Sequence, residues 1–186
     1  MRNIKFLIVD NEVVDRYYDG LTGRMRRQAF KNRILQALAD AVESHFPFAI
    51  LLIDLDNFKT INDSWGHVAG DEMLIETSKR LTEALPSKSI ITRLGNDDFI
   101  AVLPPSPDSL AHAETGARKI IELLRQPYQL SFDKLSINVN IGIACYPTAG
   151  CTLAALFECA DLALTSAQKR GRDTYQFYQE NLCEVR

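Results

Sequence analysis

The chain is sparing with the residues that hold small or exported proteins together. Of its 186 residues only four are cysteine, at 145, 151, 159 and 183, with no CxxC pair and no histidine at metal-ligand spacing. A disulfide scaffold and a thiolate zinc site are thereby excluded, and reduced thiols in or near a core are expected. The three histidines are scattered. Long apolar runs are missing too. The longest, Phe46 to Ile53, contains Pro47 and falls far short of the ~20 residues that span a bilayer. Met1-Arg2-Asn3 is not followed by an apolar stretch ending in small residues, so nothing reads as an export signal and a cytoplasmic location is expected. Nor is there an excess of charge. Lys and Arg number 21 against 24 Asp and Glu, a net charge of −3, which argues against a general nucleic-acid binder but leaves room for a local basic contact to a single nucleotide.

What is present is ordinary for one globular domain: 46% apolar and 24% charged residues, with no internal repeat or low-complexity tract. A chain of this size buries about 70% of its unfolded surface and needs no staple to hold a core. Phe30, Ile34, Leu35, Leu38 and Val42 recur at helical spacing. Phe48 to Leu55 is an apolar run short enough for a buried strand. Met73, Leu74, Leu81 and Leu85 predict a helix that stops at Pro86. Ile90 to Leu94 and Phe99 to Leu103 read as strands joined through Gly95-Asn96-Asp97-Asp98, where glycine and asparagine suit a hairpin tip. After a proline-rich break comes a helix through Leu110, Ala117 and Leu124. Tyr128 to Phe132 and Leu135 to Cys145 predict a second hairpin. A last helix from Leu153 to Ala167 ends at Gly171, before a short strand over Tyr175 to Tyr178. This order predicts an α+β domain with a mixed sheet covered by helices.

Asp54 and Asp56 end an otherwise apolar strand, so both point to one face and Leu55 to the other. Charges there are costly unless paired, exposed or metal-bound. Asp97 and Asp98 sit at the hairpin tip. If the two strands are neighbours, three or four carboxylates are expected to converge on one spot, suited to a hard cation such as Mg²⁺ bridged to phosphates. The other reading is of ordinary turn and strand-end aspartates. Between the two pairs, Asn57 to Glu72 reads as a polar connection from strand to helix, with two glycines whose backbone N–H groups could meet phosphate.

Taken together, these segments resemble the GGDEF family, the diguanylate cyclase domain. Asp19-Gly20-Leu21-Thr22-Gly23 resembles its DxLTG opening, and LLIDLDNFKTINDSWGHVAGDEML (Leu51 to Leu74) its longest motif. RLGNDDF (Arg93 to Phe99) stands where RxGGDEF is expected, and Ala160-Asp161-Leu162-Ala163-Leu164 with Gly171-Arg172 resembles the closing segment. The resemblance implies a nucleotide-cyclase or polymerase-palm fold with a ferredoxin-like core and a mixed sheet of about five strands. It also implies an activity, the condensation of two GTP molecules into cyclic di-GMP across a homodimer. Carried over position by position, it implies that Asp54, the Leu55 carbonyl and Asp97 hold Mg²⁺ or Mn²⁺. Asn62 and Asp71 would read guanine; Phe58, Lys59, Gly95, Asn96 and Arg172 would lie by the phosphates; and Asp98 would assist the reaction beside Asp97.

Departures from the pattern point to an eroded site. Asn96 replaces a glycine, Asp98 a glutamate, Gln168 a lysine, and Arg24 and Arg26 a leucine and an asparagine; the family's inhibitory RxxD pair falls on Pro86 and Ser89. The expected function is a cyclic di-GMP signalling domain that binds GTP with Mg²⁺ and turns over weakly or not at all. The alternative is an active diguanylate cyclase, and a pure protein-interaction module is disfavoured. The expected organisation is an N-terminal strand or linker over 1–17, where IKFLIVDNE resembles the first strand of a receiver but is too short for one. The GGDEF domain follows over 18–178, and then a tail over 179–186, read as a linker towards an EAL domain. An attached EAL or sensory domain in a longer protein is expected.

Overall fold

The computed structural model describes residues 20–22, 27–95, 97–131 and 133–179, with the side chains of 27–29 left aside. The strand expected over Ile4 to Glu12, Asp19 and Gly23 of the opening motif, Arg24, Arg26, Asn96 and the tail from 180 lie outside the described residues. In chain order the elements are α1 (Arg27–Ser44), β1 (Phe48–Asp56), α2 (Phe58–Trp65), α3 (His67–Ala84), β2 (Ile90–Arg93), β3 (Asp98–Val102), α4 (Ser109–Leu124), β4 (Tyr128–Gln129), β5 (Lys134–Leu135), β6 (Asn138–Tyr146), α5 (Leu153–Arg170) and β7 (Thr174–Phe177). Among the described residues no helix is long and apolar enough to cross a membrane.

Five strands form one sheet in the order β2-β3-β1-β6-β7. All neighbours are antiparallel except β6 and β7, so the mixed palm-like α+β arrangement expected from the sequence is present. β1 is central and apolar on both faces because helices cover both. Ala49, Leu51, Ile53 and Leu55 pack with Met73 and Leu81 of α3 and Ala113 and Ile120 of α4. Phe48, Ile50 and Leu52 pack on the other face with Phe30 and Ile34 of α1 and Leu156 and Ala160 of α5.

Four expectations change in detail. Helix α1 turns Phe30, Ile34, Ala37 and Ala41 inward, whereas Leu35 and Val42 are 46% and 56% exposed, because they lie off the stripe that meets the sheet. The run from Leu135 to Cys145 is two strands. Its start pairs with β4 in a separate two-stranded sheet, and β6 begins at Asn138, where pairing with Asp56 of β1 becomes available. The connection over Asn57 to Glu72 is mostly helical: Asn57 adopts a left-handed φ of 61° and Gly66 a φ of 83°, and between these breaks Phe58 is buried by the first turn of α2. Cys145 and Cys159 are half-buried as expected, but Cys151 is exposed.

The β4–β5 hairpin is fastened to α3. Glu72 accepts hydrogen bonds from the Ser131 N–H (2.8 Å) and hydroxyl (2.7 Å), and the Arg80 guanidinium lies 3.9 Å over the Tyr128 ring. On the opposite face, α5 lies close against Gly142 of β6. A Cβ there would fall on the Ala160 carbonyl oxygen and the Leu164 backbone nitrogen, and 2.7 Å from Leu164 Cβ. Backbone cannot swing aside as a side-chain tip can, so Gly142→Ala should destabilise the fold by about 3 kcal/mol, lowering the melting temperature by roughly 10 °C in a calorimetric scan.

Candidate functional site

Register builds the site. Asp54 of β1 lies opposite Asp98 of β3 on one side and opposite Asn140 of β6 on the other. Cross-strand partners share a face, so these polar residues sit together on the α1/α5 side, at the strand ends beyond the apolar stretch that closes with Leu52. Asp56 follows two residues on and accepts from the Asn140 amide at 3.1 and 3.2 Å. Asn140 is 1% exposed. As the sequence alternation implies, Leu55 turns to the opposite core. The β1–β3 pairing stops at Asp54 and Asp98, so Leu55 has a strand partner only in β6.

Electrostatics records the crowding. The Asp98 carboxyl is pushed from its ordinary 3.8 up to about 6, first by burial, then by the charges of Asp97, Asp54 and Asp161, and it shares a hydrogen bond with Asp54. Burial and then Asp54 also raise Asp97, with Arg93 opposing them. Asp56 is raised by burial and by Asp54, against the Asn140 bond and the positive charge of Arg172. From α5, Gln168 Nε2 donates to Asp54 Oδ2 at 3.0 Å. A Cβ on exposed Gly95 would lie 3.6 Å from Asp98 Oδ2, so the tip backbone passes close over that carboxylate. Asn96, beside it, lies outside the described residues.

The expected convergence of three or four carboxylates is only partly realised. Among the described residues no group of three or more His, Cys, Asp or Glu side chains is placed to hold a metal ion. Asp98 engages Asp54 itself and Gln168 takes an Asp54 oxygen, which leaves no closed protein cage. The donor chemistry still fits Mg²⁺, which usually takes one or two carboxylates and completes its shell with phosphate and water. Three raised carboxyls around Asp54 also mark a site short of positive charge.

A second group stands on α2 and α3. Phe58 is buried and Lys59 exposed, while Asn62 is half-buried and Asp71 exposed. The two helices pack where Gly70 faces Asn62: a Cβ at Gly70 would fall on Asn62 Oδ1 and lie 3.0 Å from Asn62 Cγ and from the Phe58 ring. The absent side chain therefore seats the Asn62 amide one residue before Asp71. Arg172 follows α5 and acts electrostatically on Asp56, which ties the closing motif to the strand ends.

Sequence reasoning missed the parts played by Gly70, Asn140 and Asp161, and treated Gln168 only as a lost charge. Asn140 did carry a signal, an amide interrupting the apolar face of a buried strand. The partner of Gln168 lies 114 residues away and carried none.

A carboxyl that holds its proton more tightly when folded is stabilising at low pH, and that contribution is lost as pH rises through its folded value. Asp98 therefore costs stability above pH of about 6. Asp98→Asn should raise the metal-free protein's stability at neutral pH by about 1 kcal/mol, a figure reduced for solvent screening of a half-exposed group. It should also flatten the decline between pH of about 4 and 7 in urea melts run with EDTA.

A family model described as Diguanylate cyclase, GGDEF domain, matches residues 16–174. An uncharacterized signaling protein of Caulobacter vibrioides is 38% identical over 165 residues, 89% of this chain and 20% of its own length. The bifunctional diguanylate cyclase/cyclic di-GMP phosphodiesterase MucR of Pseudomonas aeruginosa is 36% identical over 89% of this chain and 24% of its own length. The chain thus spans about a fifth to a quarter of the length of these curated relatives. A solved structure of the isolated GGDEF domain of TpbB (YfiN), also from Pseudomonas aeruginosa, superposes with a TM-score of 0.87 at 36% identity, covering 91% of this chain and 98% of that one.

Proposed function

The chain belongs to the GGDEF family of diguanylate cyclase domains, a family of cyclic di-GMP signalling, and from that premise we propose that it serves as a GTP-binding regulatory domain with weak cyclase turnover or none. The observation that carries this reading is the Asp54–Asp98 pair with Gln168 bound to Asp54. The ligand positions are kept, while the group at the reacting end is tied to a metal-binding carboxylate.

Asp54, Asp97 and the Leu55 carbonyl would hold Mg²⁺ or Mn²⁺, which when bound neutralises the phosphates of the nucleotide. Asp71 would accept from the guanine N–H groups, which adenine does not offer in that pattern, with Asn62 completing the contact. Phe58 and Lys59, at the start of α2, and Arg172 would address the phosphates, as would Gly95 and Asn96. In a turning-over cyclase the 3′-hydroxyl of one GTP attacks the α-phosphate of a second GTP held by another protomer, and pyrophosphate leaves. Asp98 is one methylene shorter than the glutamate of the family pattern and leans on Asp54. Misplacement near 1 Å lowers a rate on the order of 100-fold. The span of the relatives, one of them fused to a phosphodiesterase activity by its name, supports a role in which the bound state is passed to an attached EAL or sensory domain in the cytoplasm.

Calorimetric titration with GTP and Mg²⁺ should show saturable binding, while chromatography of the same mixture shows little cyclic di-GMP. Steady product that Asp97→Ala abolishes would replace this reading with that of an active cyclase, and an absence of binding heat would end both. The double reversion Asn96→Gly with Asp98→Glu should raise cyclic di-GMP formation by about 100-fold. A double variant no faster than the parent would place the defect elsewhere, with Gln168 the first suspect.

A further inference from the structure

The turn that carries Arg172 is held by a residue to which neither the composition nor the family pattern assigned a part. Arg172 is flanked by Gly171 and Asp173, at φ of 140° and 55°. Outside glycine, few residue types other than asparagine and aspartate take up that left-handed backbone readily, so the turn is specified at both sides of the arginine. The Asp173 side chain is 18% exposed and has two partners. Its Oδ1 accepts from the Val139 backbone N–H at 3.0 Å, and its Oδ2 lies 3.4 Å from Arg125 Nε, just past the end of α4.

The place of the first bond matters. Val139 lies opposite Leu55 of β1, at the end of the sheet that carries Asp54 and Asp56. On the other side of β6, pairing with β7 begins only at Asn140 and Thr174. The Asp173 carboxylate supplies an acceptor one residue beyond that ladder and thereby fastens the turn to the strand ends. Arg125 balances the negative charge of the Asp173 carboxylate. Arg172, between these anchors, is held on the side of Asp56.

We propose that Asp173 is the positioning residue for Arg172: by accepting the Val139 N–H it pins the Gly171–Asp173 turn so that the guanidinium is presented at the strand ends before any ligand arrives. The consequence for phosphate binding rests on the nucleotide reading above; the pinning itself does not. What the pin requires is an acceptor atom, so asparagine should serve as well as aspartate. An arginine ordered in advance loses less conformational freedom on meeting a phosphate than one on a loose turn.

Two measurements on the whole chain test this. Asp173→Ala removes the acceptor but strains a positive-φ backbone; Asp173→Gly removes it and keeps the backbone shape, so a folding failure of the first leaves the second. In the ligand-free protein the heteronuclear NOE of the Arg172 amide should fall in both variants and stay at the parent value in Asp173→Asn. With α,β-methylene-GTP and Mg²⁺, loss of this one pinning bond should weaken binding about fivefold in the Gly variant, and Asp173→Asn should bind as the parent does. Adding Asp173→Gly to Arg172→Ala should cost nothing further, because the effect passes through the arginine. An unchanged NOE in the Gly variant, or a full additional loss in the double variant, would overturn the proposal. A parent protein that does not bind the analogue would instead refute the nucleotide reading, and the NOE would still decide whether Asp173 pins the turn.

Discussion

The antiparallel register of β1 between β3 and β6 is the constraint on which the rest depends. It sets Asp54 opposite Asp98 on one flank and opposite Asn140 on the other. A slip of one residue would turn Asp54 and Asp56 into the core and Leu55 out of it. That slip is prevented by burial rather than by the polar residues themselves. Phe48, Ile50, Leu51, Leu52 and Ile53 are each at most 9% exposed, and full burial of a side chain of this size contributes roughly 1.5–3 kcal/mol. Set against that sum, the roughly 1 kcal/mol that Asp98 costs at neutral pH is small. The apolar stretch of the strand holds its charged end in a place those charges would not choose.

Repulsion held in this way has a chemical use. Asp97 and Asp98 keep their protons more readily than isolated aspartates do, because burial and neighbouring carboxylates oppose ionisation. Such a cluster favours the arrival of positive charge. Gln168 is neutral, so what it contributes from α5 is direction: its amide holds one oxygen of Asp54. The site is thereby anionic, opposed by the positive charges of Arg93 on Asp97 and of Arg172 on Asp56. That balance suits the proposed ligand, a phosphate carried by a divalent cation.

Close backbone approach is the second organising device. Gly142 lets α5 settle against β6, and α5 is the helix that delivers Asp161 and Gln168 to Asp54 and Asp98. Gly70 lets the Asn62 amide lie against α3, next to Asp71. In both places a missing side chain decides where a polar group stands, and in both a methyl group would displace it.

The sequence by itself determined the class and most of the elements. A short apolar run closed by two aspartates marked β1, the Gly-Asn-Asp-Asp tip marked the β2–β3 hairpin, and Gly171 marked the end of α5, because these are properties of the local chain. It also carried the motifs of the family, and with them the residues proposed for the site, Asp54, Asn62, Asp71, Asp97 and Arg172. Tertiary structure alone decided which residues of α1 face inward, where the run from Leu135 divides, and that Asn57 to Glu72 is mostly helical, since each depends on the surface packed against it. It alone paired Gln168 with Asp54, Asn140 with Asp56 and Asp173 with Val139. Periodicity reports which face a residue occupies, but a partner dozens of residues distant is chosen by strand register and by how closely two backbones approach.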